Sequence, residues 1–308
     1  MSISTVFVCG ATGTQGGVLA RHLRAKNIQV HALARDPASD KAKALESIGV
    51  KLWAGDYDNT DALTAATVDC NAIFINLMPD FTDLTAEARW TKNILDAGKA
   101  AGATHVVYSS GFGVSETHKM KYLDQQGIVA IILRSKLGVE KQVQDSGYAS
   151  WAILRPGNFM ANFIQPLVRM YAGLVEQGVW ASALLPESMI PMIDTETVGK
   201  FSSSAILKPE RFHGKIITYA DEFLNAAQIV EQLSHATGRE LKVVHLTEEE
   251  VDAQKGVNPF IGGQLAMRDM DQFVDLEDVK EWGIPLGTFK EFLQREKDAV
   301  EKTYNKSA

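Results

Sequence analysis

The chain has 308 residues, of which 45% are hydrophobic and 22% are charged, a composition typical of folded globular proteins and not of disordered chains. Its formal charge of -7 argues against tight nonspecific binding to nucleic acid or to an anionic membrane, because such binding needs a basic surface. The 7 histidines and 2 cysteines show no metal-ligand spacing, so we expect no metal site.

The two cysteines, Cys9 and Cys70, lie in apolar stretches that are typical of strands or strand edges. We therefore expect buried free thiols and no disulfide, which suits a reducing compartment. No signal peptide or long apolar run is visible in the sequence. We expect a cytoplasmic protein, with the nucleus as the alternative location.

Predicted strands and helices alternate through the first half of the chain, which is typical of a parallel sheet covered by helices on both faces. The predicted strands are residues 3–8, 28–34, 50–54, 72–77, 105–109 and 151–154. The predicted helices between them are residues 17–26, 39–48, 60–66, 85–101 and 135–146. After residue 157 this regular alternation stops, and the predicted elements are a strand at 190–194, a helix at 195–207, a strand at 215–219 and a helix at 225–237.

The first predicted strand leads directly into glycines at positions 10, 13 and 16, and a helix follows. Glycine has no Cβ to hold a pyrophosphate away from the backbone, and the helix offers free N–H groups and the positive end of its dipole. The strand–glycine turn–helix–strand unit of about 30 residues is the context that a dinucleotide-binding motif requires. The alternative is a glycine-rich turn in an α/β protein that binds no nucleotide.

These patterns predict a doubly wound α/β fold of the Rossmann type, with a parallel sheet. We predict that the NAD(P)-binding domain comprises residues 1–156 with a return segment at about 190–220. Residues 157–189 and 221–308 are predicted to form a smaller α/β lobe for a substrate or partner.

The residue after the second predicted strand bears on the choice of cofactor. Arg35 follows Ala34, at a place where a guanidinium could hold the 2′-phosphate of NADP. Lys41 and Lys43 add positive charge nearby, although Arg35 could also be an ordinary surface residue. If the strand runs one residue longer, Asp36 would face the ribose as in an NAD site. The pattern favours NADP(H) over NAD(H).

Polar residues also follow the third and fourth predicted strands, where ligands of such sheets bind. Asp56 could accept a hydrogen bond from the adenine amino group, and Tyr57 could flank the adenine ring. The alternative for Asp56 is ordinary turn chemistry. Asn76 and the backbone at Leu77 could line the ribose.

The candidates for chemistry follow the fifth strand and lie in the helix at 135–146. Ser109 and Ser110 open a turn that faces the expected nicotinamide, and Ser110 is a candidate catalytic hydroxyl or only a backbone cap. Lys136 is predicted near the helix N-terminus, where a cation opposes the dipole, which indicates a specific partner such as a ribose hydroxyl. The alternative is a surface ion pair with Glu140, four residues further on.

Two groups of residues in the second lobe could contact a small apolar or aromatic substrate. Residues 255–270 are rich in Gly, Pro and Met and could form a flap over a pocket, or an ordinary surface loop. The second group could line that pocket or simply be core, and comprises Phe159, Met160, Phe163, Met170, Tyr171, Trp180 and Met189.

Taken together, five segments resemble the NmrA-like family of atypical short-chain dehydrogenase/reductases. They are Gly10-Ala-Thr-Gly-Thr-Gln-Gly16, Ala34-Arg-Asp-Pro37, Gly55-Asp56, Ser135-Lys136 with Glu140, and Leu154-Arg-Pro-Gly-Asn-Phe-Met160. The resemblance implies a Rossmann domain with a smaller C-terminal lobe and NAD(P) in the cleft.

The resemblance also implies roles for individual residues. It implies that Arg35 holds the 2′-phosphate and that Lys136 reaches the nicotinamide ribose. The residues implied to hold phosphate are Thr12, Gly13, Thr14 and Gln15. Those implied to close over the nicotinamide are in the turn that contains Pro156, Asn158 and Phe159.

The chain departs from the catalytic pattern of typical short-chain reductases, which is Tyr-x-x-x-Lys. Four residues before Lys136 stands Ile132, so the usual proton donor is missing. The first hypothesis is an NADPH-dependent oxidoreductase that passes hydride to a small carbonyl, enone, imine or quinone, with Lys136 and Ser110 as the catalytic groups. The alternative is a noncatalytic NAD(P) redox sensor that regulates a partner protein, as NmrA-type transcriptional regulators do.

Overall fold

The computed structural model describes residues 3–305. Its strands β1 to β12 are, in chain order, Thr5–Val8, Gln29–Ala34, Lys51–Ala54, Ala72–Ile75, His105–Ser109, Ser150–Pro156, Asn158–Phe159, Val179–Ser182, Ile190–Ile193, Lys215–Tyr219, Glu222–Leu224 and Lys242–His245. Its helices α1 to α13 are Thr14–Arg24, Asp40–Ser47, Thr60–Thr67, Ala86–Ala100, Ile128–Gln144, Thr195–Leu207, Pro209–Phe212, Ala226–Thr237, Glu248–Gln254, Ile261–Met267, Leu276–Lys280, Phe289–Arg295 and Lys297–Tyr304. Within residues 3–305, no helix combines the length and the apolar character needed to cross a membrane.

Seven strands form the central sheet, in the order β3-β2-β1-β4-β5-β6-β10. The pairs from β3 through to β6 are parallel. Strands β1 and β4 are buried at every position, as expected where helices cover both faces of a sheet. This sheet confirms the predicted doubly wound parallel fold.

The strand order reverses between β1 and β4. From β1 the chain proceeds outward to β3 at one edge, and it then returns to β4 on the other side of β1. The connections after these two strands leave in opposite directions, and sheets of this type bind their ligands at the carboxyl ends of such strands. The loops that follow Val8 and Ile75 are therefore where the topology leads us to expect a ligand.

The chain divides into two compact units. Unit 1 comprises the described residues up to Val114 together with 132–155 and 198–217, and unit 2 comprises the rest. These boundaries differ from the expected 1–156 and 190–220. Residues 115–131 belong to unit 2, and β9 pairs with β7 and β11 in a separate three-stranded sheet, so the return segment begins at Val198.

Helix α5 begins at Ile128, seven residues before the predicted start at 135. The missed turns contain β-branched residues at 128, 129, 131 and 132, whose intrinsic helix propensity is low. Ala130 and Leu133 in these turns are buried, and burial of this kind outweighs weak propensity. The prediction that Lys136 lies near a helix N-terminus is therefore wrong, and the dipole argument for it no longer applies.

The apolar residues proposed for a substrate pocket are mostly core residues of unit 2. Met160, Phe163, Tyr171 and Trp180 are at most 3% exposed and belong to one hydrophobic cluster. The rings of Phe163 and Tyr171 stack with centroids 4.1 Å apart, and Trp180 packs edge-on against both. The alternative that this set is core is therefore correct for these four residues.

Strand β6 continues through Arg155 to Pro156, although the sequence predicted that these two residues would end it. Proline has no N–H to donate, so the strand loses one donor of its hydrogen-bond ladder at Pro156, where it ends. The Arg155 side chain is buried in unit 1, where it donates two hydrogen bonds to Glu140.

Candidate functional site

The glycine loop after β1 has the tight geometry that its sequence predicted. Gly10 adopts a φ of +63°, which favours glycine, and its carbonyl oxygen accepts the N–H of Gly13 at 2.8 Å. A Cβ on Gly16 would lie only 2.4 Å from that same carbonyl oxygen. The loop and the first turn of α1 are thus packed so closely that residue 16 must be glycine.

Helix α1 begins at Thr14, directly after the loop. Gly13 is its N-cap residue, no side chain caps the helix, and its first turn contains no acidic residue. The hydrogen bond from Gly17 N to Gly13 O is the first of the helix, so the N–H groups of residues 14–16 precede it. Thr12 and Gln15 are half-buried beside these groups. This end of α1 has the polarity that binds an anion.

Tyr57 and Asn76 support the glycine loop from the segments that follow β3 and β4. The Gly10 N–H donates to the Tyr57 hydroxyl at 2.8 Å, and a Cβ on Gly10 would lie 3.3 Å from the Asn76 carbonyl oxygen. Burial holds the pKa of Tyr57 well above its usual value, so this phenol stays neutral. The structure brings residues 10, 57 and 76 together, and the Tyr57 hydroxyl is already engaged by the loop.

The acidic residues at the ends of β2 and β3 take part in turns. Asp56 is exposed, and its Oδ1 accepts the N–H groups of Asp58 and Asn59 at 3.0 and 3.1 Å. Asp36 Oδ1 accepts the N–H of Ala38 at 2.9 Å. Strand β2 ends at Ala34, so the exposed Arg35 is the first residue after it, as the NADP interpretation requires.

The serines after β5 differ in their hydrogen bonding. The Ser109 hydroxyl donates to Gln15 Oε1 at 2.7 Å and thereby joins the end of β5 to the first turn of α1. The Ser110 hydroxyl is buried and has no hydrogen-bond partner within residues 3–305. Ser110 is therefore not held there by a capping bond from its side chain.

Lys136 lies in a buried ion pair that the sequence did not predict. Its Nζ donates to Glu87 Oε1 at 3.1 Å and contacts the Leu77 carbonyl oxygen at 3.4 Å. The Ser135 hydroxyl donates to the other carboxylate oxygen of Glu87, also at 3.1 Å. The lysine stem passes close to Gly111, where a Cβ would lie 3.2 Å from the lysine Cδ. The ammonium group is thus held at the carboxyl ends of β4 and β5.

The expected alternative, a surface pair between Lys136 and Glu140, is wrong. Both oxygens of Glu140 accept from Arg155, at 2.9 Å from Nε and 2.6 Å from Nη2, and both side chains are buried. Charges this deep in a protein need partners, and the guanidinium fork matches a carboxylate geometrically. Lys136 and Arg155 are therefore each paired with a different acid.

No tyrosine replaces the missing proton donor near Lys136. Ile132 lies one turn earlier on the same face of α5 and is half-buried, so it occupies the place of the usual tyrosine. Tyr108 in β5 is fully buried, and burial together with the nearby Glu87 carboxylate raises its pKa well above the usual value. A phenol without solvent access and with such a pKa is a poor acid.

The residues predicted to close over the nicotinamide, in the turn after β6, all lie in unit 2. Pro156, the first of them, is also the last residue of β6. Asn158 and Phe159 form β7, which pairs in parallel with β9. The Asn158 amide contacts Met192 Sδ at 3.7 Å and accepts from Asn162 at 3.2 Å. Contacts inside unit 2 thus fix the backbone of this turn.

Unit 2 contains an apolar cavity of about 320 Å³. Residues 123–129 form one wall, and residues 255–265, including part of α10, form the other. The segment that the sequence offered as a flap or a surface loop is thus, in part, the wall of a cavity. The main apolar lining residues are Leu123, Ile128, Val129, Pro259, Ile261 and Leu265.

The cysteines are buried free thiols, as predicted. Burial raises the pKa of both Cys9 and Cys70 to about 12, so neither is a reactive thiolate at neutral pH. Among residues 3–305 there is no group of three or more His, Cys, Asp or Glu side chains that could hold a metal ion.

Comparison with known proteins gives the family and the fold. The sequence of this chain matches the family model of the NmrA-like family over residues 2–293. The NAD(P)H azoreductase of Xenophilus azovorans is 28% identical over 250 residues, which cover 80% of this chain and 78% of that protein.

Two solved structures have the same fold. One is the NADPH-dependent quinone oxidoreductase QOR2 of Escherichia coli complexed with NADPH, with a TM-score of 0.72, 21% identity, and coverage of 94% of this chain and 99% of that chain. The other is NmrA, a negative transcriptional regulator, in complex with NADP, with a TM-score of 0.75, 19% identity, and coverage of 100% and 99%. Since the family match extends over nearly the whole sequence, and the fold agrees with it, this chain belongs to the NmrA-like family.

Proposed function

We propose that this protein is an NADPH-dependent oxidoreductase that passes hydride to a small apolar acceptor without a tyrosine acid. The observation that carries the proposal is the place of the Lys136 ammonium group. It contacts the backbone just after β4, and β4 is the neighbour of the strand that leads into the glycine loop. Cofactor phosphates and a catalytic cation would thus share one crevice.

The glycine loop fits a dinucleotide phosphate. A side chain at residue 16 would collide with the loop carbonyl, and the N–H groups that open α1 are free of any side-chain cap. We propose that Arg35 binds the 2′-phosphate, which accounts for a preference for NADPH over NADH. The proposed phosphate ligands are the loop and helix residues Gly10, Thr12, Gly13, Thr14, Gln15 and Gly16.

The rest of the cofactor would lie along the following strand ends. We propose that Asn76 and Leu77 line the ribose, that Lys136 donates to the nicotinamide ribose, and that Ser109 holds Gln15 in place. The contacts of Asp56 and Tyr57 with adenine, and of Pro156, Asn158 and Phe159 with the nicotinamide, stay predictions.

NADPH supplies the hydride in this proposal, and the protein supplies position and polarity. Lys136 has a third N–H that neither Glu87 nor Leu77 uses, and Ser110 has an unpaired buried hydroxyl. These two groups can polarise an oxygen or nitrogen of the acceptor, and the acceptor as a whole takes the hydride from NADPH, which leaves NADP+, and a proton from solvent. Acceptors that need little help from a protein acid therefore fit best, and we place quinones and azo compounds first, then enones, imines and small carbonyls.

Two observations support an apolar acceptor. The relative from Xenophilus azovorans is named an azoreductase, and unit 2 contains an apolar cavity of about 320 Å³, a size typical of small-molecule pockets. We propose that unit 2 is the substrate lobe. The buried free thiols support a cytoplasmic location.

The test is NADPH consumption with a panel of quinones, azo compounds, enones, imines and aldehydes, measured against the rate without acceptor. We expect turnover with at least one quinone or azo compound, and we expect a large loss of rate in Lys136→Met. Tight NADPH binding with no consumption by any acceptor would contradict the enzyme proposal.

The second candidate function is a redox sensor that regulates a partner protein. Ile132 in place of the usual tyrosine favours it, because a sensor has no need of a proton donor. A sensor needs one conformation that binds the partner protein and one that does not. The cofactor forms that it distinguishes, NADP and NADPH or NADP and NAD, must favour these two conformations to different extents. The acceptor panel separates the two candidates, since a sensor consumes no NADPH.

A further inference from the structure

We propose that Glu87 is a positioning residue for Lys136, which holds the ammonium group at the cofactor crevice in place of the missing tyrosine. This inference rests on the proposed function, since it assumes that Lys136 contacts the cofactor. It adds a residue from α4, 49 positions earlier in the sequence, to the site.

The contacts of Glu87 leave it little freedom. Its side chain is 3% exposed, one carboxylate oxygen accepts from Lys136, and the other accepts from Ser135. Ser135 and Lys136 are neighbours on α5, so the carboxylate ties α4 to one turn of α5. The direction of the ammonium group is thereby set from outside its own helix.

The ion pair is open toward a ligand, which distinguishes it from a purely structural pair. An ammonium group has three donors, and here Glu87 and the Leu77 carbonyl take two of them. Lys136 keeps 14% of its side chain exposed. The third N–H can therefore donate to a ribose hydroxyl or an acceptor without breaking the pair.

The second buried pair of unit 1 provides the contrast. Glu140 and Arg155 face each other through two parallel hydrogen bonds, and their side chains are 2% and 9% exposed. This pair is closed, because both carboxylate oxygens are bound by the same guanidinium. Glu140→Gln is thus a matched control: it neutralises a buried acid bound to a cation, but that cation is not Lys136.

Other titratable groups near Glu87 do not replace it. Tyr108 on β5 lies near both Glu87 and Glu140, but burial keeps it neutral. Glu140 is fully engaged by Arg155. Within residues 3–305, Glu87 is the carboxylate with which Lys136 forms an ion pair.

The experiment is a double-mutant cycle with Glu87→Gln and Lys136→Met, read out by NADPH affinity in a fluorescence titration and by kcat and KM with the best acceptor. If Glu87 acts through Lys136, Glu87→Gln lowers NADPH affinity or kcat by about tenfold alone and by less than about twofold in the Lys136→Met background. Glu140→Gln should lower thermal stability, and any effect on affinity should be the same in both backgrounds.

Equal losses from Glu87→Gln in both backgrounds, or no loss in the wild-type background, would overturn the inference. If Glu87→Gln does not fold, Ser135→Ala replaces it in the same cycle, because it frees one oxygen of Glu87 and leaves the charge in place. The affinity arm needs no turnover, so failure of the enzyme proposal and failure of this inference give different results.

Discussion

Arg35 is the residue on which cofactor preference depends. It is exposed immediately after β2, while the neighbouring Asp36 uses one carboxylate oxygen to accept a turn N–H. A guanidinium forms charge-assisted hydrogen bonds with a 2′-phosphate, and NADH has no such group to offer. Arg35 should therefore contribute to the binding of NADPH and not to the binding of NADH.

Arg35→Ala should lower NADPH affinity by about ten- to a hundredfold, because a hydrogen bond to a charged group contributes about 1.5–3 kcal/mol. NADH affinity should change by less than about twofold on the same grounds. Fluorescence titration of both cofactors measures the ratio. Lys26→Ala is the control, since it removes an exposed cation just beyond the far end of α1. Equal losses for both cofactors in Arg35→Ala would show that Arg35 does not contact the 2′-phosphate.

The residues whose place in the fold could be predicted from the sequence are those with a local signal. Arg35 and the loop glycines stand next to a strand end, so their neighbourhood is readable from the chain itself. Glu87 had no such signal, because an acid in the first turn of a helix is common for dipole reasons alone. Only the three-dimensional structure shows that Glu87 of α4 pairs with Lys136 of α5. It likewise shows that Glu140 pairs with Arg155 and not with Lys136.

At the scale of elements, the glycine turn and α1 are the part of the site most rigidly specified. The Gly10 carbonyl accepts from Gly13 and lies against Gly16 at the same time. No flexible side chain is available to move aside, because the obstructing atoms belong to the backbone. A methyl group at residue 16 must displace the loop itself.

Gly16→Ala should weaken NADPH binding by at least about tenfold and should lower the free energy of unfolding by about 1–3 kcal/mol through overpacking. Gly138→Ala is the matched control, because a Cβ there meets nothing within 4 Å and the position is exposed in α5. It should leave NADPH affinity unchanged and raise stability by about 0.5–1 kcal/mol. Wild-type affinity in Gly16→Ala would rule out phosphate binding at this loop.

One element-scale prediction failed and another stayed open between two alternatives, because tertiary packing decides what the local pattern does not. The start of α5 was missed because its first turns are β-branched, and burial of Ala130 and Leu133 was invisible in the sequence. The apolar stripe around Phe163 was compatible with a pocket or with a core, and its structure is a core. A hydrophobic pattern predicts that side chains are buried, but it does not tell whether they line a pocket or pack in a core.

At the scale of the whole molecule, the doubly wound sheet was predictable because strands and helices alternate with clear periodicity. The small sheet of β7, β9 and β11 was not, since its strands have only two to four residues and pair across long sequence separations. This sheet is the reason that the return segment begins at Val198.

The fold does not decide between enzyme and sensor. A quinone oxidoreductase and a transcriptional regulator match this chain with TM-scores of 0.72 and 0.75. Function depends on sites carried by the fold, so the question concerns the chemistry at Lys136 and the bound nicotinamide. A measurement of that chemistry is therefore more informative than any further comparison of shape.

The most direct measurement is single-turnover oxidation of NADPH by excess protein, with unlabelled cofactor and with cofactor deuterated on either face of the nicotinamide C4. We predict oxidation with a quinone or azo acceptor, slowed by deuterium on one face only, and slower by at least about tenfold in Lys136→Met, as expected for loss of a positioned charged donor. Bound NADPH that no acceptor oxidises would contradict hydride transfer as the function of this protein.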